Sequence, residues 1–518
     1  MLQSLKNKLS LGILTSAILF AGCEGNLLQE DPLIPLSDLE QGNPDKFELM
    51  EIKEMTDFSH MRVGDLSGRF LILANNANLP KNLASSIHNA GGEIVKAYPE
   101  IGVAVAVAHS PNFLANSRKI SGLASVTPDI ILQYTKTPEM RGEGVDLNEN
   151  TGMNTLGAPF DYQSAFFDGY QWAPASIDAP QAWEAGFTGE GVRVAVIDGG
   201  FHSTHIDLQP NLDIASSIST VPGFNFNEDV GTFWHGTHVA GIVAASGIGA
   251  VGIAPKASII GIKALHDGSG AFEWILEGLY YAATPQSKGG AGAQVINMSL
   301  GATIDYRSEW KDKEFRDAFR ELQKIYDRVT RYAYQNGVTV IASSGNGETN
   351  FDSSKELYKI PAENQHVIAI SATGPTGWLL GNTNFTQPAY YTDHGKSLVD
   401  FAAPGGTLGL WIVDGYDGLC TLTGTNASST NYCEVFDMVF STVRGNSNGS
   451  YNWAQGTSMA SPAASGVVAL MMEANGGALS PAQVRSKLAQ TATDLGKPGK
   501  DEFYGHGFVN AAKAVGLN

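Results

Sequence analysis

VAVIDGG, residues 194–200, is a run of four apolar residues followed by an aspartate and two glycines. Its length and its β-branched residues are typical of a short strand that is buried on both faces. Similar runs follow it, separated mostly by stretches with helical spacing, at residues 258–263, 294–298, 338–342 and 367–371. Strands that alternate with helices in this way predict an α/β domain built on a parallel, doubly wound sheet with helices on both faces.

Two polar residues lie at the ends of strands of this predicted sheet, where open α/β sheets gather their functional groups. Asp198 ends the first strand, and Asn346 lies just past the strand at residues 338–342. The side-chain amide of Asn346 could donate a hydrogen bond to an oxyanion. An aspartate after a strand more often serves a turn or a helix cap, and an asparagine often stabilises a turn. Each residue is therefore a weak signal by itself.

Two further motifs contain a histidine and a serine that are suited to catalysis. His235 lies in the motif WHGTHVAG, and Ser458 lies in the motif GTSMASP. Pro462 fits only near the start of a helix, and a helical run follows it at residues 463–472. Ser458 is therefore predicted at a helix N-terminus, where free N–H groups favour negative charge. An ordinary serine cap is the alternative for this residue.

A metal site is the alternative role for the histidine motif, because His238 lies three residues after His235. The chain has no His-Glu-x-x-His pattern and no obvious third ligand. We therefore predict that His238 is a buried structural histidine.

The order of these residues along the chain is more specific than any one of them. Asp198, His235, Asn346 and Ser458 follow one another as in the subtilisin family of serine peptidases, which residues 171–518 resemble. The resemblance implies a serine endopeptidase in which Ser458 attacks the peptide bond and His235 takes its proton. It also implies that Asp198 orients the imidazole, that Asn346 donates to the oxyanion, and that the chemistry requires no cofactor.

The resemblance extends to a substrate edge and to a metal ligand. The motif VINMSLG ends in Ser299, Leu300 and Gly301, which are implied to hold the backbone of an extended substrate. Asp207 matches a calcium ligand of many relatives. The loop that would supply the other ligands, residues 245–250, is short and lacks their asparagines. A structural calcium ion at Asp207 is therefore doubtful.

The chain departs from the family pattern in three places. Gly199 stands where the family usually has threonine or serine, so Asp198 lacks a neighbouring hydroxyl. Residues 305–334 look like an insertion that adds a charged helix. Residues 408–451 look like a second insertion, which directly precedes the serine motif and could shape the substrate cleft.

A small domain is predicted before the catalytic domain. Residues 65–136 contain segments in the order β-α-β-β-α-β, with a last stretch that ends at Tyr134, and this order suggests a ferredoxin-like sandwich. The domain resembles the inhibitory propeptide of the family. Linkers are predicted at residues 24–64 and 137–165, and the catalytic domain at residues 166–518.

The N-terminus has the features of an export signal. Lys6 and Lys8 place positive charge near the start of residues 1–23. An uncharged apolar run follows them and is shorter than a transmembrane helix. The run ends in LFAGC, which resembles the lipobox of bacterial lipoproteins and implies a lipid on Cys23. We expect a membrane-anchored precursor and a mature enzyme that is extracellular or periplasmic. An ordinary secretory signal with an incidental cysteine is the alternative.

Composition and charge limit the partners. Hydrophobic residues make up 43% of the 518 residues, charged residues 16%, and the net charge is −19. This is a globular composition, and so acidic a surface argues against binding to nucleic acid or to anionic lipid. We expect a monomer that binds protein or peptide substrates and is inhibited by its own propeptide. Cys420 and Cys433 could form a disulfide in an exported protein, with two free thiols as the alternative.

Two competing classes of protein fit the sequence less well. An α/β-hydrolase such as a lipase would need a Gly-x-Ser-x-Gly motif and the order Ser, Asp, His. Here Ala460 replaces the last glycine, and the order is reversed. A relative that binds peptides without cutting them would be expected to lose a residue of the triad, whereas all three are present.

Overall fold

The computed structural model describes residues 68–134, 142–147, 159–229, 234–306 and 313–517. The predicted signal peptide with Cys23 and the predicted linker at residues 24–64 lie outside the described residues, as does most of the predicted linker at residues 137–165. Among the described residues, none of the helices combines the length and the apolar character that a membrane span requires.

Residues 68–134, called the N-terminal region below, form a four-stranded antiparallel sheet with the strand order β2-β3-β1-β4 and two short helices. The elements are β1 (Arg69–Ala74), α1 (Leu83–Asn89), β2 (Glu93–Tyr98), β3 (Val103–Val107), α2 (Phe113–Ser117), β4 (Leu123–Pro128) and β5 (Ile131–Gln133). The order β-α-β-β-α-β is the predicted one. The final stretch differs from the prediction because it is divided: β4 completes this sheet, whereas β5 leaves it.

The rest of the described chain, called the main region, contains fifteen strands and nine helices within its described residues. The strands are β6 (Val145–Asp146), β7 (Arg193–Asp198), β8 (Ile218–Ser219), β9 (Ser258–Lys263), β10 (Ser269–Ala271), β11 (Val295–Met298), β12 (Ala302–Asp305), β13 (Thr339–Ser343), β14 (Leu357–Ile360), β15 (Val367–Thr373), β16 (Phe401–Pro404), β17 (Leu419–Thr423), β18 (Ser428–Tyr432), β19 (Val439–Val443) and β20 (Ser450–Ala454). The helices are α3 (Ala173–Ser176), α4 (Ala179–Glu184), α5 (His235–Ala244), α6 (Phe272–Ala283), α7 (Lys313–Gln335), α8 (Gly409–Ile412), α9 (Thr457–Ala474), α10 (Pro481–Thr491) and α11 (Ala511–Ala514).

Seven strands of the main region form a parallel sheet in the order β16-β15-β13-β11-β7-β9-β8. Alternate residues of β7 face opposite sides of this sheet, as strand geometry requires. Val194 and Val196 pack in the same cluster as residues of α5 and α9, whereas Ala195 and Ile197 pack in the same cluster as residues of α6 and α7. This arrangement confirms the predicted α/β fold and explains why the strand is apolar throughout.

The sheet of the N-terminal region is also covered on both faces. On one face, Ile72 of β1 packs with Ile87 of α1 and Phe113 of α2. Leu71 and Leu73 instead pack in the same cluster as residues of α6 and α7 in the main region. The N-terminal region therefore buries one apolar face of its sheet against two helices that also cover the parallel sheet.

The described parts of both predicted insertions contain regular secondary structure. The first contains α7, a helix of 23 residues. The second contains the antiparallel hairpin of β17 and β18. Cys420 in β17 forms a disulfide with Cys433, with an S–S distance of 1.97 Å, so the structure has the predicted bond and not two free thiols.

Candidate active site

The carboxylate of Asp198, which is buried, and the imidazole of His235, which is 11% exposed, form a pair. Asp198 is the last residue of β7 and His235 is the first residue of α5. Nδ1 of His235 lies 2.8 Å and 2.9 Å from the two carboxylate oxygens. Because the carboxylate can only accept, Nδ1 carries the hydrogen and Nε2 is left to take a proton.

The same pair sets the charge of the imidazole. Burial alone lowers the pKa of His235, but the negative charge of Asp198 and the hydrogen bond to it outweigh burial and raise the pKa above its ordinary value. His238, one turn further along α5, behaves differently. It is buried as predicted, its Nε2 bonds to two backbone carbonyl groups, and burial lowers its pKa to about 3.

Ser458 lies in the first turn of α9, but the helix begins earlier than predicted. It starts at Thr457 and not after Pro462, so the proline lies inside the helix. Pro462 has no N–H to donate to the carbonyl of Ser458 four residues earlier. The hydroxyl of Ser299 donates to that carbonyl at 2.8 Å and replaces the missing bond. A residue from another strand therefore allows the helix to include the proline.

The hydroxyl of Ser458 donates to the carbonyl oxygen of Ser299 at 3.2 Å. Within the part of the chain that the structure describes, it forms no hydrogen bond with His235. Proton transfer to Nε2 of His235 therefore requires the hydroxyl to turn away from Ser299. Catalytic hydrogen bonds of this kind are often long or absent before a substrate is bound and tighten when the reacting groups are in place.

The side chain of Asn346 has a defined orientation. Its amide oxygen accepts from the backbone N–H of Thr457 at 2.9 Å and from the hydroxyl of Thr457 at 2.8 Å. The amide nitrogen is then directed elsewhere and remains able to donate. A Cβ atom added to Gly456 would lie 3.4 Å from that nitrogen, so the glycine keeps the space in front of the donor open.

A second buried pair, which the sequence did not indicate, anchors the loop around Asn346. The carboxylate of Asp393 accepts from the backbone N–H groups of Gly347 and Thr349 at 2.9 Å and 3.0 Å, and from Nζ of Lys359 at 3.0 Å. Asp393 lies 46 residues after Gly347 in the sequence, and no local motif connects them. Thr457 belongs to a motif that was recognised, but its role in orienting Asn346 depends on tertiary contacts.

A strand of the N-terminal region occupies the groove beside Ser458. β5 pairs with β10 in antiparallel register, and the N–H of Tyr134 donates to the carbonyl of Gly268 at 2.9 Å. On the other side, the N–H of Gly301 donates to the carbonyl of Tyr134 at 3.0 Å. Two backbone edges therefore hold an extended peptide from both sides. β10 was not predicted as an edge of the groove, although its small residues, Ser-Gly-Ala, suit close backbone approach.

The three residues predicted to hold substrate differ in their surroundings. The carbonyl of Ser299 faces the hydroxyl of Ser458, and the N–H of Gly301 holds the peptide in the groove. The side chain of Leu300 is buried in the core that contains α6 and α7. Ser299 and Gly301 therefore contribute backbone atoms to the site, whereas Leu300 fixes the position of this segment.

Asp207 does not fit a calcium site. Its carboxylate accepts five hydrogen bonds, from the N–H groups of Ile248, Gly249 and Ala250 at 2.6 to 2.9 Å, from Ser246 Oγ at 3.0 Å and from the hydroxyl of Tyr451 at 2.6 Å. These donors occupy the oxygen atoms that a cation would need. In the described part of the chain, no group of three or more His, Cys, Asp or Glu residues could hold a metal ion. These contacts argue against the role of calcium ligand that the resemblance allowed for Asp207, as the short loop at residues 245–250 already did.

Comparison with known proteins gives consistent matches. Residues 189–507 match the Subtilase family (Peptidase_S8). The chain is 31% identical over 343 residues to the minor extracellular protease Epr of Bacillus subtilis. This alignment covers 65% of this chain but only 41% of that protein. It is also 31% identical over 344 residues to subtilisin E of Bacillus subtilis, which covers 66% of this chain and 70% of the relative.

A similar fold occurs among solved structures. A crystal structure of a variant of the epidermin leader peptide processing serine protease from Staphylococcus aureus superimposes with a TM-score of 0.64 and 19% identity. The superposition covers 87% of this chain and 99% of that chain. At this identity the similarity concerns the fold alone.

Proposed function

Because this chain belongs to the subtilase family of serine endopeptidases, we propose that it hydrolyses peptide bonds through an acyl-enzyme on Ser458. The observation that carries the proposal is the extended peptide at β5, held by backbone hydrogen bonds to Gly268 and Gly301 in the groove beside Ser458. A groove that binds a strand through its backbone accepts many sequences, and pockets for side chains then decide which are cut. Its substrates are proteins or peptides.

The proposed mechanism assigns one role to each polar group of the site. As Ser458 Oγ attacks the carbonyl carbon, Nε2 of His235 takes its proton, because a serine hydroxyl is a weak nucleophile at neutral pH. Asp198 stabilises the imidazolium that results. The N–H of Ser458 and the amide nitrogen of Asn346 donate to the oxyanion. His235 then protonates the leaving amine. Water attacks the acyl-enzyme as His235 takes its proton, the bond to Ser458 Oγ breaks, and His235 returns the proton to Ser458.

We also propose that residues 65–136 act as an inhibitory propeptide. A peptide strand in the groove excludes other substrates, and the N-terminal region is attached by more than this strand. Arg69 donates two hydrogen bonds of 2.6 Å to the carboxylate of Glu273 on α6. Arg328 on α7 donates to four backbone carbonyl groups of the N-terminal region, at 3.0 to 3.3 Å. These contacts favour a bound, inhibited state while the chain that connects the two regions is intact.

The location of the enzyme follows from where that cut falls. We propose that export requires residues 1–23, that a lipid on Cys23 anchors the precursor, and that cleavage between about Tyr134 and Tyr170 separates the enzyme from its anchor. The mature enzyme is then extracellular or periplasmic. Fractionation of expressing cells tests this: fully processed wild-type enzyme that remains in the membrane pellet, after denaturation has removed any bound propeptide, contradicts release.

The catalytic assignment is tested with the full-length chain and an organophosphonate probe that labels activated serines. We expect wild type to be labelled and to cut casein. Ser458→Ala should be folded, unlabelled and inactive, and should accumulate as the uncut precursor if processing is autocatalytic. Ser486→Ala, at an exposed serine of α10, is the matched control and should behave as wild type. Casein cleavage by folded Ser458→Ala refutes the assignment, and a processed wild-type enzyme, freed of residues 65–136, that neither reacts nor cuts refutes the proposed activity.

A further inference from the structure

Gly199 follows the proposed catalytic aspartate, and the space beside it is filled by another carboxylate. A Cβ atom added to Gly199 would lie 2.5 Å from Oδ2 of Asp229, and one added to Gly200 would lie 2.7 Å from Cβ of Asp229. Real Cβ contacts are essentially never shorter than 3.0 Å. Asp229 therefore occupies space that any side chain at position 199 would need.

Asp229 forms an ion pair with a buried lysine. Lys263 is fully buried, and its Nζ lies 3.7 Å from Oδ1 of Asp229, whose side chain is 8% exposed. A buried ammonium group needs a counter-charge and acceptors, because burial without them is costly. Nζ meets this need with Asp229 and with two carbonyl oxygens: it donates to Gly199 and, at 2.8 Å, to Leu265.

These contacts connect the lysine to the backbone of Asp198. Lys263 is the register partner of Asp198 across the parallel strands β7 and β9. The carbonyl of Asp198 accepts from the N–H groups of Ala264 and Leu265 at 2.8 Å and 3.2 Å. Lys263 joins the residues just after each strand, Gly199 and Leu265, at the point where Asp198 projects towards His235. The position of the Asp198 carboxylate thus depends on Lys263, which connects the ends of β7 and β9.

We propose that Asp229 and Lys263 are positioning residues that support Asp198 in place of the missing hydroxyl at position 199, and that Gly199 is required because Asp229 occupies the space of its side chain. This inference rests on the proposed function. It concerns residues that act through Asp198 and His235 and do not touch the substrate.

The pair formed by Asp229 and Lys263 also affects the charge of His235. Among the described residues, the charges that act on the imidazole are those of Asp198 on β7 and of Asp229, which precedes α5 in the chain. His238 on α5 is neutral, and Lys263 on β9 interacts with both carboxylates. Burial lowers the pKa of His235, whereas the charge and hydrogen bond of Asp198, followed by the charge of Asp229, raise it. Loss of the charge of Asp229 should therefore lower the pH at which His235 becomes protonated and inactive.

The first test restores the residue type that the family usually has. Gly199→Ser should lower kcat/KM for a peptide substrate by about tenfold or more, because Asp229 must move and release Lys263. Full activity of Gly199→Ser overturns the proposal.

The second test does not depend on a change of volume. Asp229→Asn keeps the shape and removes the charge, and we expect the acid limb of kcat/KM against pH to move to lower pH. Glu228→Gln is the matched control, because it removes one charge at the adjacent, exposed residue; we expect a smaller shift. Equal shifts, or none for Asp229→Asn, overturn the electrostatic role.

Titration with the organophosphonate counts competent sites in every variant and corrects rates for misfolded protein. A wild-type enzyme that does not react with it refutes the proposed function itself, whereas normal wild-type activity with an unaffected Gly199→Ser refutes only this inference.

Discussion

Asp198 and Asp207 lie nine residues apart, and both are fully buried, yet their surroundings differ. Asp207 accepts hydrogen bonds from five groups: three backbone N–H groups and two hydroxyls. Asp198 accepts from the N–H of Gly199 and, through both oxygens, from the imidazole of His235. Asp207 accepts hydrogen bonds only from backbone N–H groups and hydroxyls, whereas Asp198 accepts from His235, which can gain a proton.

This difference in hydrogen-bond partners indicates which buried carboxylate can take part in a reaction. Backbone N–H groups and hydroxyls donate to the oxygens of Asp207 and leave neither of them for a substrate or a metal ion. The main partner of Asp198 changes charge near neutral pH, so the carboxylate can stabilise a charge that appears during the reaction. We expect Asp207 to matter for stability and Asp198 for rate, and the following predictions test that division.

The largest effect is expected for Asp198→Asn. The amide keeps the shape but favours the wrong tautomer of His235, so kcat should fall by about 10⁴-fold. Steady-state kinetics on a peptide substrate measure the loss. The thermal midpoint, measured in the Ser458→Ala background to prevent self-digestion, should change much less than for Asp207→Asn. A variant with more than a tenth of wild-type kcat contradicts the role of Asp198.

The second effect is on stability. Asp207→Asn presents donors to the N–H groups of Gly249 and Ala250, and we expect the free energy of unfolding to fall by about 3 kcal/mol. Tyr451→Phe removes one donor only and should cost about 1 kcal/mol. Denaturant unfolding in the Ser458→Ala background measures both. In the active chain, kcat per titrated site should be unchanged for both variants; a loss of kcat without a loss of stability contradicts the division.

The third effect is a shift in the pH profile. The pKa of His235 is raised above 6.5, so the base is protonated, and activity lost, as the pH falls through that higher value. We expect the acid limb of kcat/KM in the free enzyme to have a midpoint above 6.5. A midpoint at or below that value would mean that Asp198 does not outweigh the burial of the imidazole.

The smallest effect is expected from calcium. Because the oxygens of Asp207 are occupied by hydrogen-bond donors, neither calcium nor a chelator should change the thermal midpoint through this site. The comparison is between Ser458→Ala and the same chain with Asp207→Asn, each with chelator and with calcium. A calcium-dependent rise that disappears in the Asp207→Asn chain would restore a metal at Asp207.

Much of the fold could be predicted because its signals are local. β9 has the predicted bounds, Ser258–Lys263, and β11 begins one residue after the predicted start. Apolar runs of strand length and helical spacing depend on a few neighbouring residues, and they are visible without any knowledge of contacts. The order of Asp198, His235, Asn346 and Ser458 is equally a property of the sequence, and it indicated the family and the residues that now lie in the site.

The class of fold, the family and the residues to consider for the chemistry were thus predictable from sequence patterns. Long-range contacts were needed to see how α9 passes through Pro462, how Thr457 orients Asn346, and why position 199 is a glycine. The physical reason is the same in each case. A carbonyl without its helical donor, an amide that can point two ways and a carboxylate that fills a neighbour's space all depend on groups far away in the chain, and no local pattern records those contacts.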